Sequence, residues 1–231
     1  MLLKRSSGRG STYAQKIDPI TLHIAYEGKQ DEKEYFDAFS ISLKKRYRKM
    51  VKLVPVPKSS TRSTPEVVKN DLVQHLKRNK INLLKTKSHL GFIVIDKDHF
   101  FDNQHQASTW QAIGECSQRG ISVICSNPCF EVWLLCHYLD ISQQSDEFKR
   151  KAIANRKANK NSKTFLKAQV AKYRNNETID KLISRIPTAY HNETLLKQQA
   201  RKPDNLPPDE LVSNIGLIVK IMLDNGVPLF D

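Results

Sequence analysis

The feature that most constrains the fold is a short apolar run ending in two carboxylates, Gly91-Phe92-Ile93-Val94-Ile95-Asp96-Lys97-Asp98. Its four apolar residues are mostly β-branched and too few for a helix, so they predict a central parallel strand covered on both faces. Because side chains alternate along an extended chain, we expect Asp96 and Asp98 to point to the same side. Such a pair suits Mg²⁺, which often binds one or two carboxylates together with waters or substrate phosphates. For the motif alone, a solvated loop after the strand is the alternative.

Strand and helix patterns alternate along the first 140 residues. This order favours an α/β domain with a mainly parallel sheet. Two proline positions sharpen the boundaries, because Thr64-Pro65 and Asn127-Pro128 both read as a helix cap followed by a first-turn proline. Strands are predicted at 21–26, 52–57 (an edge strand, since it contains prolines), 92–95 and 121–125, and helices at 31–50, 64–76, 106–118 and 128–138.

Acidic residues follow several of the predicted strands. Glu27 comes directly after the first strand, and Glu131 lies one turn into an apolar helix that follows the last one. Ligand sites of parallel sheets lie at the carboxyl ends of the strands. We therefore expect Glu27, Asp96, Asp98 and Glu131 to meet at one edge, which strengthens the metal-site interpretation.

The composition is that of a soluble globular protein, with 39% hydrophobic and 27% charged residues among 231. No apolar run approaches the roughly 20 residues that cross a bilayer, and the first residues lack a signal-peptide core, so we expect no membrane association and a cytoplasmic location. The four cysteines, none in a Cys-x-x-Cys pair, are interpreted as buried free thiols rather than a zinc site: Cys116, Cys125, Cys129 and Cys136.

A formal net charge of +14 makes a nucleic acid or another polyanion the first expected partner. Residues 145–175 contain ten Lys or Arg against two acids and are predicted to be helical. Lys157, Lys160 and Lys163, at three-residue spacing, would share one helical face and contact a phosphate backbone; a solvated surface is the alternative. The predicted organisation is a basic arm (1–20), a catalytic domain (21–140) and a helical basic extension packed on it (141–231).

Three pieces of the sequence carry a family resemblance: Glu27-Gly28-x-x-x-Glu32-x-x-Tyr35-Phe36, Asp96-x-Asp98, and Ser126-Asn127-Pro128-Cys129-Phe130-Glu131-x-Trp133-Leu134-Leu135. Together they resemble the RloB family, predicted nucleases with a Toprim-type fold from bacterial and archaeal mobile defence regions. The third piece is the most specific. The chain departs from the expected first motif, because Lys29-Gln30-Asp31 stands where family members read roughly Glu-Lys-Thr.

The resemblance implies a Toprim-like sheet flanked by helices and a metal-dependent nuclease. In Toprim domains a Glu after the first strand and an Asp-x-Asp after a later one hold Mg²⁺ or Mn²⁺, and these correspond to Glu27, Asp96 and Asp98. Glu27 is also a candidate general base or acid, and Glu131 is assigned to the catalytic group as an outer ligand. The resemblance further implies an AAA- or ABC-type ATPase partner encoded nearby.

Other functions remain open from the sequence. A Toprim-like module that binds nucleic acid and regulates the ATPase without cutting is the main alternative. A haloacid-dehalogenase phosphatase requires threonine or valine where this chain has Phe100, and a glycosyltransferase Asp-x-Asp is a further possibility. The choice between RNA and DNA and the oligomeric state are left undetermined.

Overall fold

A computed structural model of the chain describes residues 19–102 and 104–228, without the side chains of Asp98 and His99. The predicted basic arm therefore falls almost wholly outside the described residues. Within them, four strands form one all-parallel sheet flanked by helices, which confirms the predicted α/β class. The strands are β1 (Ile20–Tyr26), β2 (Val51–Val56), β3 (His89–Asp96) and β4 (Ile121–Ser126).

The sheet order is β2-β1-β3-β4, so β3 is an interior strand and β2 lies at an edge, as the sequence predicted. The chain leaves β1 for β2 on one side and then returns to place β3 on the other side of β1. This reversal makes the carboxyl ends of β1 and β3 the topological switch point, where open parallel sheets bind their ligands.

Helices cover both faces of the sheet. On one face, α1 (Asp31–Tyr47) and α4 (Glu131–Cys136) share an apolar cluster with β1 and β3. On the other, α2 (Pro65–Arg78) and α3 (Gln106–Gln118) pack over alternate residues of the same strands. The predicted start of α2 is confirmed, since the Thr64 hydroxyl accepts a hydrogen bond from the Val67 N–H.

The predicted cap at Asn127 is wrong. Its side chain donates to the carbonyls of Pro208 (3.0 Å) and Glu210 (2.9 Å), and its backbone pairs with Val212. The helix begins only at Glu131. Asn127 therefore holds residues 208–212 beside β4 instead of capping a helix. Sequence spacing gave no sign of this competing hydrogen-bond partner.

Five α-helices follow residue 140 in the described part of the chain, and each contributes residues to the apolar cluster of α1 and α4, such as Ala152, Leu166 and Leu182. One helix ends at Ser184 and the next begins at Ile186, so Pro187 lies in the first turn of the second helix. The last helix begins at Gly216. The five are α5 (Asp146–Ala154), α6 (Phe165–Arg174), α7 (Ile179–Ser184), α8 (Ile186–Gln199) and α9 (Gly216–Asp224).

The continuous helix expected over 145–175 is interrupted by a loop of residues 155–164. Asn155 adopts a left-handed conformation (φ 41°), which ends α5. Its side-chain oxygen accepts from the Leu166 N–H at 3.0 Å, and Lys157 pairs with Thr164 in an antiparallel bridge. Asn tolerates this conformation well, so a single residue redirects the chain.

The cysteines and the lengths of the helices also bear on the predictions from composition. All four cysteines are buried and free of disulfides, as predicted. None of the helices in the described part of the chain is both long enough and apolar enough to cross a membrane.

Candidate metal centre

The site begins with a contact between the carboxyl ends of β1 and β3. Glu27 follows β1, and its Oε2 accepts a hydrogen bond of 3.3 Å from the backbone N–H of Asp96, the last residue of β3. The strands pair up to this point, since the Glu27 N–H donates to the Val94 carbonyl at 3.2 Å. Parallel pairing thus brings together Glu27 and Asp96, two of the three carboxylates that the sequence assigned to a metal.

Asp96 is also tied to the start of α4. Its Oδ1 accepts a 2.9 Å hydrogen bond from the Phe130 N–H, immediately before the helix. Glu131 is the first residue of α4 and is buried. It therefore does not face open water, and it adds a carboxylate to the same edge, as the sequence predicted.

Glu32 is a member of this cluster that the sequence did not assign. It lies in the first turn of α1 and is buried, and its carboxylate occupies the space where a side chain at position 28 would be. Only glycine at position 28 leaves this room. The signal available in the sequence was the Glu-Gly-x-x-x-Glu pattern, which places a second acid one turn into the helix after β1.

The electrostatics of the cluster are those of crowded, poorly hydrated acids. Burial raises the pKa of Asp96 well above its usual value, and the charges of Glu27, Glu32 and Glu131 raise it further. Burial likewise raises the pKa of Glu32 to about 7, with contributions from Glu131 and Asp31. Such acids resist ionisation together unless a cation is near.

One lysine from the basic extension reaches the cluster. The Lys167 Nζ, on α6, lies 3.4 Å from Glu131 Oε1 and 3.9 Å from Asp31 Oδ2. Burial lowers the pKa of Lys167, but these two carboxylates outweigh that effect and the pKa is raised. On the other side of the edge, the Lys58 ammonium donates to the Glu27 carbonyl at 2.6 Å.

Asp98 follows a different path from the one expected. The extended chain ends at Asp96, and Asp98 opens a 3₁₀ helix that runs to Phe101. The alternation argument that placed Asp96 and Asp98 on one side therefore does not apply across this boundary. The Asp98 side chain lies outside the described atoms.

The donor set fits a hard cation in its chemistry. Glu27, Asp96, Glu32 and Glu131 supply only carboxylate oxygens, the ligands that Mg²⁺ and Mn²⁺ prefer. Among the side chains that the structure describes, no group of three or more His, Cys, Asp or Glu residues is placed so that it could hold a metal ion. A bound cation would take the remaining ligands from water, substrate phosphate or Asp98, as Mg²⁺ commonly does.

A cleft of about 590 Å³ opens beside the cluster. It shares Glu131 and Lys167 with the metal edge and extends away between α1 and α6. Its floor is apolar, and its rim is charged. The floor includes Tyr35, Leu134, Val170, Ile179 and Leu182, and the rim includes Asp31, Glu34, Lys163, Lys167, Arg174 and Glu177.

The three lysines predicted to contact phosphate do not share a helical face. Lys157, Lys160 and Lys163 all belong to the loop of residues 155–164, where they are exposed. Lys163 also lines the cleft. The helical-face argument is wrong because Asn155 ends α5, whereas the phosphate-contacting role stays a prediction.

Fold and site together define a parallel α/β protein whose buried and half-buried carboxylates collect at the topological switch point of the sheet. The sequence model of the family described as RloB-like protein matches residues 22–222. The chain therefore belongs to the RloB family, and the match includes every residue of the carboxylate cluster. No significant match is found among curated proteins or among solved structures.

Proposed function

We propose that this chain is a metal-dependent nuclease that hydrolyses phosphodiester bonds of RNA or DNA. The observation that carries the proposal is the carboxylate cluster at the switch point, in which Glu32 and Glu131 are buried and in which desolvation and neighbouring acids raise the pKa of Asp96. Like-charged acids held close together repel one another and lower stability, and such groups with shifted pKa values occur most often at functional sites. A divalent cation would offset the repulsion.

The candidate ligands are Glu27, Asp96 and Asp98, with Glu131 in an outer position. When bound there, Mg²⁺ or Mn²⁺ supplies Lewis-acid polarisation of a phosphate and activation of water. The chain's own contacts hold Asp96 in place, because its backbone N–H donates to Glu27 and its Oδ1 accepts from Phe130. Ligands fixed in this way need little rearrangement before reaction.

Glu32 is suited to move a proton during hydrolysis. Without a bound cation, burial raises its pKa to about 7, and a cation at the neighbouring carboxylates would favour the ionised form that can accept a proton. Lys167 contributes positive charge at the same edge. It would attract the substrate phosphate toward the carboxylates and partly neutralise the charge that develops there.

The proposed setting is an antiviral defence system in which an AAA- or ABC-type ATPase holds or triggers the nuclease. Family membership supports it through the resemblance described above. The four unpaired, buried cysteines suit a reducing compartment and a cytoplasmic location. Co-purification of the tagged chain with an ATPase encoded beside it, judged against the ATPase alone on the same resin, tests this assembly.

Activity is tested by incubating the purified chain with total RNA and with plasmid DNA, in Mg²⁺, in Mn²⁺ and then in chelator. Asp96→Asn is the matched control, since the amide oxygen can still accept from Phe130 while the charge is lost. We expect cleavage with metal, and none with chelator or with the variant. Cleavage at the same rate by Asp96→Asn would overturn the proposed site.

A second candidate is a nucleic-acid-binding module of the ATPase that does not cut. It is favoured by the lack of a complete metal cage among the described side chains. Under this alternative the wild-type chain binds nucleic acid but produces no cleavage in either metal. Full-strength binding by Asp96→Asn, with no cleavage by the wild-type chain, identifies this outcome.

A further inference from the structure

The lining of the cleft between α1 and α6 differs from the kind of protein surface that binds a nucleic-acid duplex. It holds about 590 Å³, and its floor is formed by apolar groups such as Leu134, Val170 and Ile179. Phosphates and paired base edges do not need an apolar floor. The exposed face of an unpaired base does need an apolar surface, because proteins hold unpaired bases by stacking and apolar contact.

Lysine and arginine side chains line one side of this cleft. Lys167 and Arg174, seven residues apart, lie on one side of α6, and Lys163 lines the cleft from the loop just before that helix. From Lys167 to Arg174 the helix rises about 10 Å. Two cations at this separation can contact separate phosphates of one strand.

The cleft is also lined by groups able to contact base edges. Gln30 and Glu34 line it from the start of α1, and Asn176 lines it just after the end of α6. Side-chain amides and carboxylates are the groups that hydrogen-bond to exposed base edges. The cleft thus offers an apolar floor for a base and a cationic wall for its backbone.

The cleft leads directly to the proposed reaction site. Glu131 lines it and also interacts electrostatically with Asp96, while Lys167 contacts Glu131 at 3.4 Å. A strand held along α6 would therefore present a phosphate to the carboxylate edge while the neighbouring base lies in the cleft. In a duplex, bases are stacked and paired, so no base is available for such a pocket.

We propose that this cleft binds an unpaired nucleotide of single-stranded nucleic acid, which makes single strands, loops or extruded bases the substrate class. The proposal rests on the proposed nuclease function for its biological meaning, but the binding itself requires neither metal nor cleavage. Both RNA and DNA single strands have the required base faces and phosphates.

The test is binding in chelator, so that no cleavage occurs. A fluorescein-labelled single strand of about 12 nucleotides, within the range that single-strand binders cover, is compared with its duplex by anisotropy, as RNA and as DNA. Ala171→Trp is chosen to fill the cleft, since Ala171 lies on its wall and is exposed. Ala168→Trp is the matched control, because it is exposed on the same helix and does not line the cleft.

We expect the single strand of at least one nucleic acid to bind more tightly than its duplex. Ala171→Trp should weaken that binding by about tenfold, the scale of one lost stacking contact, whereas Ala168→Trp should leave it within about twofold. Equal binding of strand and duplex, or equal effects of the two tryptophans, would overturn the proposal.

Cleavage assays separate this proposal from the nuclease assignment. If the wild-type chain never cuts but Ala171→Trp still selectively weakens strand binding, the cleft is a single-strand site on a protein that is not a nuclease. If the chain cuts in Mg²⁺ and Ala171→Trp cuts a single strand at the wild-type rate, the nuclease assignment stands and the cleft proposal fails.

Discussion

The backbone N–H of Asp96 donates to the carboxylate of Glu27 across 3.3 Å, although 69 residues separate them in sequence. The contact joins the carboxyl ends of the two central strands. It holds a pair of acids close together where burial already disfavours the charge of Asp96. This arrangement leads to measurable consequences for activity, stability and pH dependence.

Removing charge from the cluster should abolish cleavage and stabilise the chain. Glu27→Gln and Asp96→Asn should both lose nuclease activity, while Glu131→Gln should be milder because Glu131 is an outer ligand. In chelator at neutral pH, thermal or urea unfolding should show Asp96→Asn more stable than wild type by about 1 kcal/mol, the scale of one pKa unit. A less stable Asp96→Asn would contradict the electrostatic account.

A methyl group at position 28 should disturb activity more than stability. In Gly28→Ala the new Cβ would overlap the Glu32 carboxylate, which is the mobile end of a side chain and can move aside. We therefore expect a fall in cleavage rate with little change in unfolding midpoint.

Gly114→Ala is the control for that substitution. A Cβ at this position in α3 meets nothing within 4 Å, so the change should leave activity intact and raise helix stability by about 0.5–1 kcal/mol. Loss of activity in both glycine variants would show that the effect of Gly28→Ala is not specific to Glu32.

Glu193 should make stability fall as the pH rises. Burial raises its pKa to about 7, although its carboxylate accepts a 3.0 Å hydrogen bond from the Gly216 N–H. Since the folded pKa exceeds the unfolded value near 4.5, the protonated form contributes stability below about pH 4.5 that is lost as the pH rises through 7. Glu193→Gln keeps an acceptor without this titration.

The stability of Glu193→Gln relative to wild type should therefore increase by on the order of 1–3 kcal/mol between about pH 5 and pH 8. Urea unfolding at several pH values measures it. Glu177→Gln serves as a contrast, because hydrogen bonds from Arg185 and Tyr138 lower the pKa of Glu177 to about 2. Its stabilisation is present above about pH 4.5 and is lost as the pH falls toward 2, so a pH trend of the same sign in both variants would refute the assignments.

The exposed lysines of the loop of residues 155–164 should contribute to affinity through charge. Replacing Lys157, Lys160 and Lys163 together with glutamine should weaken nucleic-acid binding and reduce the slope of log affinity against log salt by about two units, at 0.7–0.9 per lost phosphate contact. The control replaces three exposed lysines near the amino-terminal end of β3, namely Lys77, Lys80 and Lys85. Equal slopes for the two triple variants would show that the loop does not contact phosphate.

Much of the fold could be predicted because its signals are local. The apolar run before Asp96 and the Thr64-Pro65 boundary are determined by neighbouring residues, and both predictions are confirmed. The position of Glu32 over Gly28 depends on how α1 leaves β1, and the contact of Lys167 with Glu131 depends on how α6 packs. Sequence periodicity has no information on either relationship.

The end of the helical pattern at Asn155 shows the same limit on a smaller scale. Asn is compatible with a helix end but does not require one, and here its left-handed conformation is paired with a hydrogen bond to the Leu166 N–H eleven residues later. The partner that stabilises the turn is distant in sequence. A charge pattern at three-residue spacing therefore suggested a helical face that does not exist.

The two hydrogen bonds that close the base of the loop of residues 155–164 have an evolutionary consequence. The Asn155–Leu166 hydrogen bond and the Phe165 N–H to Arg156 carbonyl bond (3.1 Å) close the loop at its base, so its tip does not support the packing of α5 or α6. Insertions, deletions and charge changes can accumulate at the tip while the carboxylate cluster remains intact. The proposed phosphate contacts of this loop could thereby differ between relatives through exchange of the residues between Lys157 and Thr164, without any change in the carboxylate cluster.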